Sequence, residues 1–335
     1  MKAGGVGKGV AAIRPGLKTN TSVSARGRPT ILGRSARRQL LHNWQLYALL
    51  IVPVVYIIVF HYVPIYGLQM AFKNYNVVKG LNGSAWVGFQ HYERFFHSYA
   101  FKTILKNTVL ISLFQLLVAF PAPILLALSL NYIRKIAFKK TVQMVTYAPY
   151  FISLVVMTGI ILQLLSPSTG VIYRLVEHLA GKPINFMTDP DYFIPVYVLS
   201  GIWQNIGWGS IIYLAALAGI DPTLHEAAVM DGASKLQRVR HIDIPGILPT
   251  AVVLFILDVG NFLNVGFLKI LLLQNPMNMS ASEVIDTYVY RTGILSGLPD
   301  FSYAAAIGLF KSLIGLVLIV IANQTARRVN GSGIW

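Results

Sequence analysis

The sequence predicts an all-α polytopic membrane protein with about six transmembrane helices and a cytoplasmic polar insert. Of its 335 residues, 55% are hydrophobic and only 12% are charged, and the mean hydropathy is +0.60. Soluble domains carry about 25% charged residues, so this composition is typical of an integral membrane protein. The chain contains no Cys, which excludes disulfides and thiolate metal sites.

Six apolar runs approach or exceed the roughly 20 residues that a helix needs to cross the hydrocarbon core of a bilayer. They cover residues 46–65, 103–130, 142–165, 193–220, 247–268 and 303–323. We expect the second run to bend at Pro121 and Pro123. Between the first two runs lies an aromatic-rich loop, which is typical of a surface at the membrane interface.

The first forty residues are basic and contain no acid. Their basic residues are Lys2, Lys8, Arg14, Lys18, Arg26, Arg28, Arg34, Arg37 and Arg38. We expect residues 1–40 to form a disordered tail and residues 41–330 to form the transmembrane domain. An organellar transit peptide and a nucleic-acid-binding arm are the alternatives for the tail.

The distribution of basic residues predicts the orientation of the chain. With six spans, the tail, the loop 134–140, the insert 220–249 and Arg327-Arg328 fall on one side and hold most of the Lys and Arg residues. Because short basic loops stay in the cytoplasm, we expect both termini and the insert to be cytoplasmic. The net charge of +16 is explained in the same way, so we expect no nucleic-acid partner.

The insert 220–249 is a polar segment between two apolar runs, and its residues predict a helix–turn–helix. Asp221-Pro222 provides an N-cap acceptor followed by a proline at the first helical position, where a missing N–H costs nothing. Thr223 with Glu226 offers an alternative capping-box register.

The second half of the insert contains a turn residue and two prolines. Gly232 is expected to end the first helix with positive φ. A second short helix is expected over residues 234–241, stopped by Pro245 and Pro249. From periodicity alone, an amphipathic linker lying at the lipid interface is an equal alternative.

The residue order in the insert resembles the EAA loop of the membrane subunits of binding-protein-dependent ABC importers. The pattern comprises Glu226, Ala227, Ala228, Asp231, Gly232, Ala233, Ile242, Pro245 and Pro249. In that family the loop is a coupling helix that lies in a groove of an ATPase subunit. The resemblance implies an ATPase-coupling role for these positions, above all for Glu226 and Gly232. Val239 and Ile244 depart from the family's usual aromatic residue and Leu, and both changes are conservative in size or polarity.

Further segments resemble the carbohydrate branch of the same family, among them FPAPILLAL, GIWQNIGWGSIIYLAALAGIDP and VIDTYVYRTG. The resemblance implies import of oligosaccharides across the bacterial inner membrane, including acidic ones such as alginate or pectin fragments. It also implies three kinds of protein partner: a second homologous permease subunit, an ABC ATPase dimer and an extracytoplasmic solute-binding protein.

The chain itself is expected to be a translocation subunit without a cofactor and not an enzyme. Its nearest match to a phosphate-binding loop, residues 4–9, lacks the hydroxyl that should follow Lys8. ATP and Mg²⁺ are therefore expected on the ATPase subunits. The seven His residues show no metal-ligand spacing.

Polar residues inside the predicted spans need a partner or a cavity. Asp258, Asn261 and Asn264 follow one another at about one-turn spacing, so we expect them in one helical sector, with Lys311 as the partner of Asp258. They line the substrate path, because sugar hydroxyls need hydrogen-bond partners, or they fix helix packing. A secondary transporter driven by an ion gradient through Asp258 and Lys311 is the alternative function.

The fourth predicted span contains three further candidates for the substrate path: Trp203, Asn205 and Trp208. The two indoles could present their faces to a sugar ring. Trp is also common as an anchor at the membrane interface, so both interpretations stay open.

Overall fold

The computed structural model describes residues 42–330, so the predicted basic tail 1–40 lies outside the described residues. The chain divides into two compact units, of which one ends at Val63 and the other begins at Pro64. The described part of the first unit contains α1 (Trp44–Ile57) and a π-helical turn over Ile58–Tyr62. No residue of α1 is buried, which suits the lipid contact expected of the span predicted at 46–65.

The rest of the described chain is mainly helical, as the sequence predicts. In chain order the helices are α2 (Val63–Ile65), α3 (Gly80–Gly83), α4 (Gln90–Phe96), α5 (Ala100–Phe114), α6 (Pro121–Asn131), α7 (Ile136–Tyr147), α8 (Leu154–Leu164), α9 (Val171–Ala180), α10 (Phe193–Ala218), α11 (Pro222–Met230), α12 (Lys235–Arg238), α13 (Ile244–Gly260), α14 (Phe267–Leu273), α15 (Met279–Ser282), α16 (Ile285–Tyr290) and α17 (Phe301–Asn330).

The aromatic-rich loop between the first two predicted spans contains a small hairpin that the sequence did not predict. Strands β1 (Lys73–Asn76) and β2 (Ser84–Trp86) pair antiparallel, with Lys73 opposite Trp86. The ring of Phe72 stacks on Trp86 at a centroid distance of 5.7 Å. Cross-strand and neighbouring aromatic contacts of this kind hold short strands together.

Four helices of the described chain are long and apolar enough to cross a membrane, and one bent pair raises the number to five. The four are Trp44–Phe72, Ala100–Asn131, Lys235–Gly260 and Phe301–Arg328. Helix α10 has 26 residues and lies where the fourth span was predicted, but it is not among them. The adjacent amides of Gln204 and Asn205 lower its hydropathy. Multi-pass architecture is therefore confirmed, and the number six stays a prediction.

The third span was predicted as one helix over 142–165, and this prediction is wrong. The segment is a bent pair, Ile136–Phe151 and Leu154–Leu164, with an angle of 107° between its parts. Pro149 lies in a 3₁₀ turn, Ile152 is extended, and the Ser153 hydroxyl accepts from the amide of Val156 to begin α8. The proline and the N-cap together end one helix and start another.

The predicted stop at Pro245 and Pro249 is also wrong, because Lys235–Gly260 is one continuous helix. A π-helical turn over Val239–Asp243 precedes Pro245, and the amide of Ile244 donates to the carbonyl of Val239. The same device occurs in the second span, where a π turn over Gln115–Ala119 precedes Pro121. A wider turn accommodates the proline ring, which would clash with the carbonyl four residues earlier in a regular helix.

The fifth span ends earlier than the predicted 247–268. Helix α13 stops at Gly260, and Asn261 closes it by donating from its side-chain amide to the carbonyl of Leu257 at 3.1 Å. The chain then turns through Gly266, whose φ is +72°, into α14. Residues in that left-handed conformation are mostly glycine, so Gly266 marks the break.

Helix α10 lies at the centre of the core. Its buried Tyr197 and Val198 pack with Met157 of α8 and Ile270 of α14. Nearer its C-terminus, a second buried cluster comprises Ala127, Leu128, Tyr213, Leu217 and Ile247. These contacts join α10 to the elements on both sides of the insert, so α10 positions the candidate site.

Candidate functional site

The first helix of the insert begins as the sequence predicts. Asp221 Oδ1 accepts a hydrogen bond from the amide of Thr223 at 2.9 Å, and Pro222 is the first residue of α11. That backbone hydrogen bond lowers the pKa of the Asp221 carboxyl below its usual value. The helix therefore begins at the Asp221 cap, and not at the alternative capping box of Thr223 with Glu226.

The turn of the insert also has the predicted geometry. Gly232 has φ of +76°, its amide donates to the carbonyl of Val229, and the next amide, of Ala233, donates to Ala228. A second helix begins after Ser234, which forms a capping box with Gln237. The sequence pattern S-x-x-Q marks this box, which the sequence analysis did not predict although it expected the second helix to begin at residue 234.

Most EAA-type side chains are accessible at this turn. Glu226, Ala227, Asp231, Gly232 and Pro245 are exposed, whereas Ala228 and Ala233 are half-buried. Three large apolar side chains lie beside them with high exposure: Leu224 (53%), Met230 (86%) and Leu236 (77%). Leu224 and Met230 lie on α11 and Leu236 lies on α12, so both short helices of the insert expose apolar side chains.

A polar cluster lies beneath α11, and sequence reasoning missed it. Asp243 is fully buried in the π turn, and the Tyr132 hydroxyl donates to its Oδ2 at 2.6 Å. His225 Nε2 lies 3.3 Å from the other carboxylate oxygen. Burial, followed by the hydrogen bond to Asp243, raises the pKa of Tyr132 to about 12. Tyr132 therefore remains a donor at neutral pH.

A cavity of about 500 Å³ with several polar side chains in a mainly apolar wall lies between α6, α10 and α13. It brings together four of the predicted path residues, Trp208, Asp258, Asn261 and Asn264. Asp258 is exposed, and among residues 42–330 no basic side chain lies within ion-pair distance of its carboxylate. The carboxylate is thus free to accept hydrogen bonds from a ligand.

The polar wall of this cavity is held in place by local contacts. Asn264 donates from its side-chain amide to Asn261 Oδ1 at 3.2 Å. Trp208 stacks flat on Tyr150, with ring centroids 4.4 Å apart and planes within 3°. The predicted single helical sector is wrong, because the helix ends at Gly260 and Asn264 lies beyond it. The folded-back chain nevertheless returns Asn264 to the same cavity.

Lys311 is not the partner of Asp258, which corrects a further prediction. Its ammonium group donates to both carboxylate oxygens of Asp286 at 2.5 and 2.7 Å. This ion pair lies in a second cavity of about 490 Å³, which shares Asn264 with the first. Asp286 lies on α16, a short helix that packs on α17 and that the sequence analysis did not predict.

The other two predicted path residues lie outside the main cavity. Trp203 lines an apolar pocket of about 340 Å³ among residues such as Ile161 and Val196. Asn205 donates to the carbonyl of Gly201 at 2.9 Å and lines a small cavity of about 110 Å³. Gln115 lines both this small cavity and the main one. As a lone amide in an apolar span, Gln115 could have been found by the criterion that selected Asp258.

Comparison with known proteins identifies related sequences. Residues 119–331, more than half of the chain, match the family described as binding-protein-dependent transport system inner membrane component. The chain is 42% identical over 290 residues to Protein LplB of Bacillus subtilis, covering 87% of this chain and 91% of that protein. It is 41% identical over 297 residues to the polygalacturonan/rhamnogalacturonan transport system permease protein YteP of Bacillus subtilis, with 89% and 92% covered.

The fold is also similar to that of solved structures. One is a bacterial ABC transporter involved in the import of the acidic polysaccharide alginate, with a TM-score of 0.81, 38% identity, and coverage of 88% of this chain and 99% of that chain. Another is a bacterial alginate ABC transporter in complex with alginate pentasaccharide-bound periplasmic protein, with a TM-score of 0.81, 38% identity, and coverage of 89% and 99%.

Proposed function

This chain belongs to the family of binding-protein-dependent transport system inner membrane components. We therefore propose that oligosaccharides pass through its cavity of about 500 Å³ during import. The chain is a permease subunit of an ABC importer. The name of the relative YteP includes polygalacturonan and rhamnogalacturonan, and the structural neighbour imports alginate. We therefore propose that the substrate of this permease comes from a polymer of acidic sugars.

The observation that carries this proposal is the cavity lined by Asp258, Asn261, Asn264 and Trp208. A carboxylate and two amides can accept and donate hydrogen bonds to sugar hydroxyls, and an indole face can pack on a pyranose ring. Within a cavity of this size, a few such groups fix orientation while apolar walls supply contact area. This chemistry favours a hydroxyl-rich ligand.

The partners belong to the same proposal. The exposed turn around Glu226 and Gly232, with its apolar neighbours, docks on an ATPase subunit that holds ATP and Mg²⁺. A second permease subunit completes the path, and an extracytoplasmic solute-binding protein delivers the sugar. Both termini and the insert are cytoplasmic. ATP-driven movement of the docked turn changes access to the cavity from one side of the membrane to the other.

The alternative of an ion-coupled transporter depended on a pair between Asp258 and Lys311. Lys311 pairs with Asp286 instead, and the family matched by this chain is that of binding-protein-dependent transport. Uptake by this permease is therefore expected to need the ATPase subunits.

The docking step is tested in the reconstituted complex by measuring ATP hydrolysis stimulated by the sugar-loaded binding protein. Glu226→Lys and Gly232→Val should abolish the stimulation while the chain still inserts in the membrane. Gly181→Val is the matched control for backbone strain, since Gly181 also has positive φ, +67°, with open space around it. Unchanged stimulation in both insert variants would refute the docking assignment.

The substrate path is tested by uptake of radiolabelled galacturonan and alginate oligosaccharides into proteoliposomes. Asp258→Asn should lower uptake about tenfold, the factor expected from loss of one hydrogen bond to a charged group. Asp191→Asn, an exposed aspartate outside the cavity, is the control. Wild-type uptake by the Asp258 variant would remove this residue from the path.

A further inference from the structure

The buried carboxylate of Asp243 lies where three elements of the transport machinery meet. Tyr132 follows the end of α6, His225 lies on α11, and Asp243 lies in the π turn of the continuous helix Lys235–Gly260. Asp243 contacts both other side chains, at 2.6 Å to Tyr132 and 3.3 Å to His225. His225 precedes Glu226, so this cluster connects to the exposed turn through one residue.

The two carboxylate oxygens of Asp243 differ in their hydrogen bonding. Oδ2 of Asp243 has a hydrogen bond from Tyr132, but within the described residues Oδ1 has no hydrogen-bond partner. His225 Nε2 is at ion-pair distance from Oδ1 but outside hydrogen-bond geometry. A buried carboxylate oxygen without a donor costs free energy and calls for an explanation.

Among the described residues, His225 of α11 is the basic side chain at ion-pair distance from this oxygen. The guanidinium of Arg238 lies 5.5 Å from the centre of the Tyr132 ring, and with Lys235, Arg134 and His225 it lines a pocket of about 280 Å³ beside the cluster. Because His225 Nε2 is already 3.3 Å from Oδ1, a small change in the position of α11 can bring the two atoms into hydrogen-bond geometry.

We propose that His225 is a positioning residue whose contact with Asp243 transmits movement of the exposed turn around Gly232 to the transmembrane helices. We call this contact the latch. This inference rests on the proposed docking of that turn on an ATPase subunit. In one arrangement the His225–Asp243 hydrogen bond is open, and in the other it closes. Closure ties α11 to the helix Lys235–Gly260, which lines the cavity at its other end.

The proposal predicts which variants uncouple the complex. His225→Ala removes the donor, so ATP hydrolysis stimulated by the binding protein should fall at least about tenfold, the factor that corresponds to loss of a charge-assisted hydrogen bond. His225→Gln places an amide nitrogen near the position of Nε2 and should restore most of the stimulation. His241→Ala changes an exposed histidine of the same insert, whose ring contacts only the carbonyl of Gln237 among the described hydrogen bonds, and should behave as wild type.

The measurement uses the full complex in nanodiscs with the binding protein loaded with galacturonan or alginate oligosaccharides. Retention of the ATPase subunits on affinity-purified permease is measured in parallel. Uncoupling by His225→Ala with the ATPase subunits retained, and its rescue by His225→Gln, support the latch. Wild-type stimulation in His225→Ala, loss of the ATPase subunits, or equal uncoupling by Ala and Gln would overturn it. The docking is judged separately: if Glu226→Lys and Gly232→Val both keep wild-type stimulation, the docking assignment fails, whatever the His225 variants show.

Discussion

Removing one partner of the ion pair between Asp286 and Lys311 should destabilise the fold strongly, because both side chains are largely buried. Their exposed fractions are 23% and 12%. Removing one partner of a buried pair leaves an uncompensated charge and costs about 3–5 kcal/mol, whereas replacing both is often close to neutral. Lys311→Met should therefore lower the thermal midpoint by about 6–10 °C, at roughly 2 °C per kcal/mol for a chain of this size.

A double-mutant cycle tests this expectation by fluorescence-detected size-exclusion chromatography after heating. Adding Asp286→Asn to Lys311→Met should recover most of the loss, since neither charge then remains unpaired. Asp258→Asn is the matched control, and it should not rescue Lys311→Met. Rescue by Asp258→Asn, or additive losses for Asp286→Asn, would refute the pairing that the structure assigns.

Three further predictions concern packing, capping and the buried cluster. Gly207→Ala should destabilise the protein, because the new Cβ would lie 2.1 Å from the Thr146 carbonyl oxygen, whereas Gly159→Ala has open space and should be neutral or stabilising, as thermal midpoints will show. Asp221→Ala should increase hydrogen exchange in α11 at neutral pH, because the helix loses its N-cap. The folded-state pKa of Asp221 is lowered, so the stability that its carboxylate contributes is present above the unfolded-state pKa. This stability is lost as the pH falls through the folded-state pKa. Tyr132→Phe should lower stimulated ATP hydrolysis, because Oδ2 of Asp243 loses its donor; stimulation is measured with the binding protein as above.

The sequence predicted the start and turn of the insert because local chemistry decides both. Asp221 followed by Pro222 has few alternatives to a helix N-terminus, and Gly232 tolerates the left-handed turn without a steric cost. The broken third span is a different case. Its apolar composition is the same whether the chain runs straight or bends by 107°, and the bend depends on a proline followed by the Ser153 cap.

The pairing of charged residues inside the membrane was less predictable than their presence. The rule that an intramembrane charge needs a partner or a cavity correctly selected Asp258 and Lys311. It could not choose the partner of Lys311, because Asp286 lies between the predicted spans 247–268 and 303–323, in a segment for which the sequence predicted no helix. Tertiary contacts made by such short helices have no periodic signal in the sequence.

Pro245 and Pro249 do not end the helix that follows the turn of the insert, and this continuity matters for the mechanism. Had Pro245 and Pro249 ended the helix, the exposed turn around Gly232 and the cavity would be joined by a flexible connection, and movement of one would be poorly transmitted to the other. The continuous helix Lys235–Gly260 instead runs from the turn to Asp258 near its far end, over about 35 Å at 1.5 Å per residue. The π turn holding Asp243 is the irregular part of that helix, and it is also where His225 contacts it. If α11 docks on an ATPase subunit as proposed, a movement of α11 would act on this helix at its π turn.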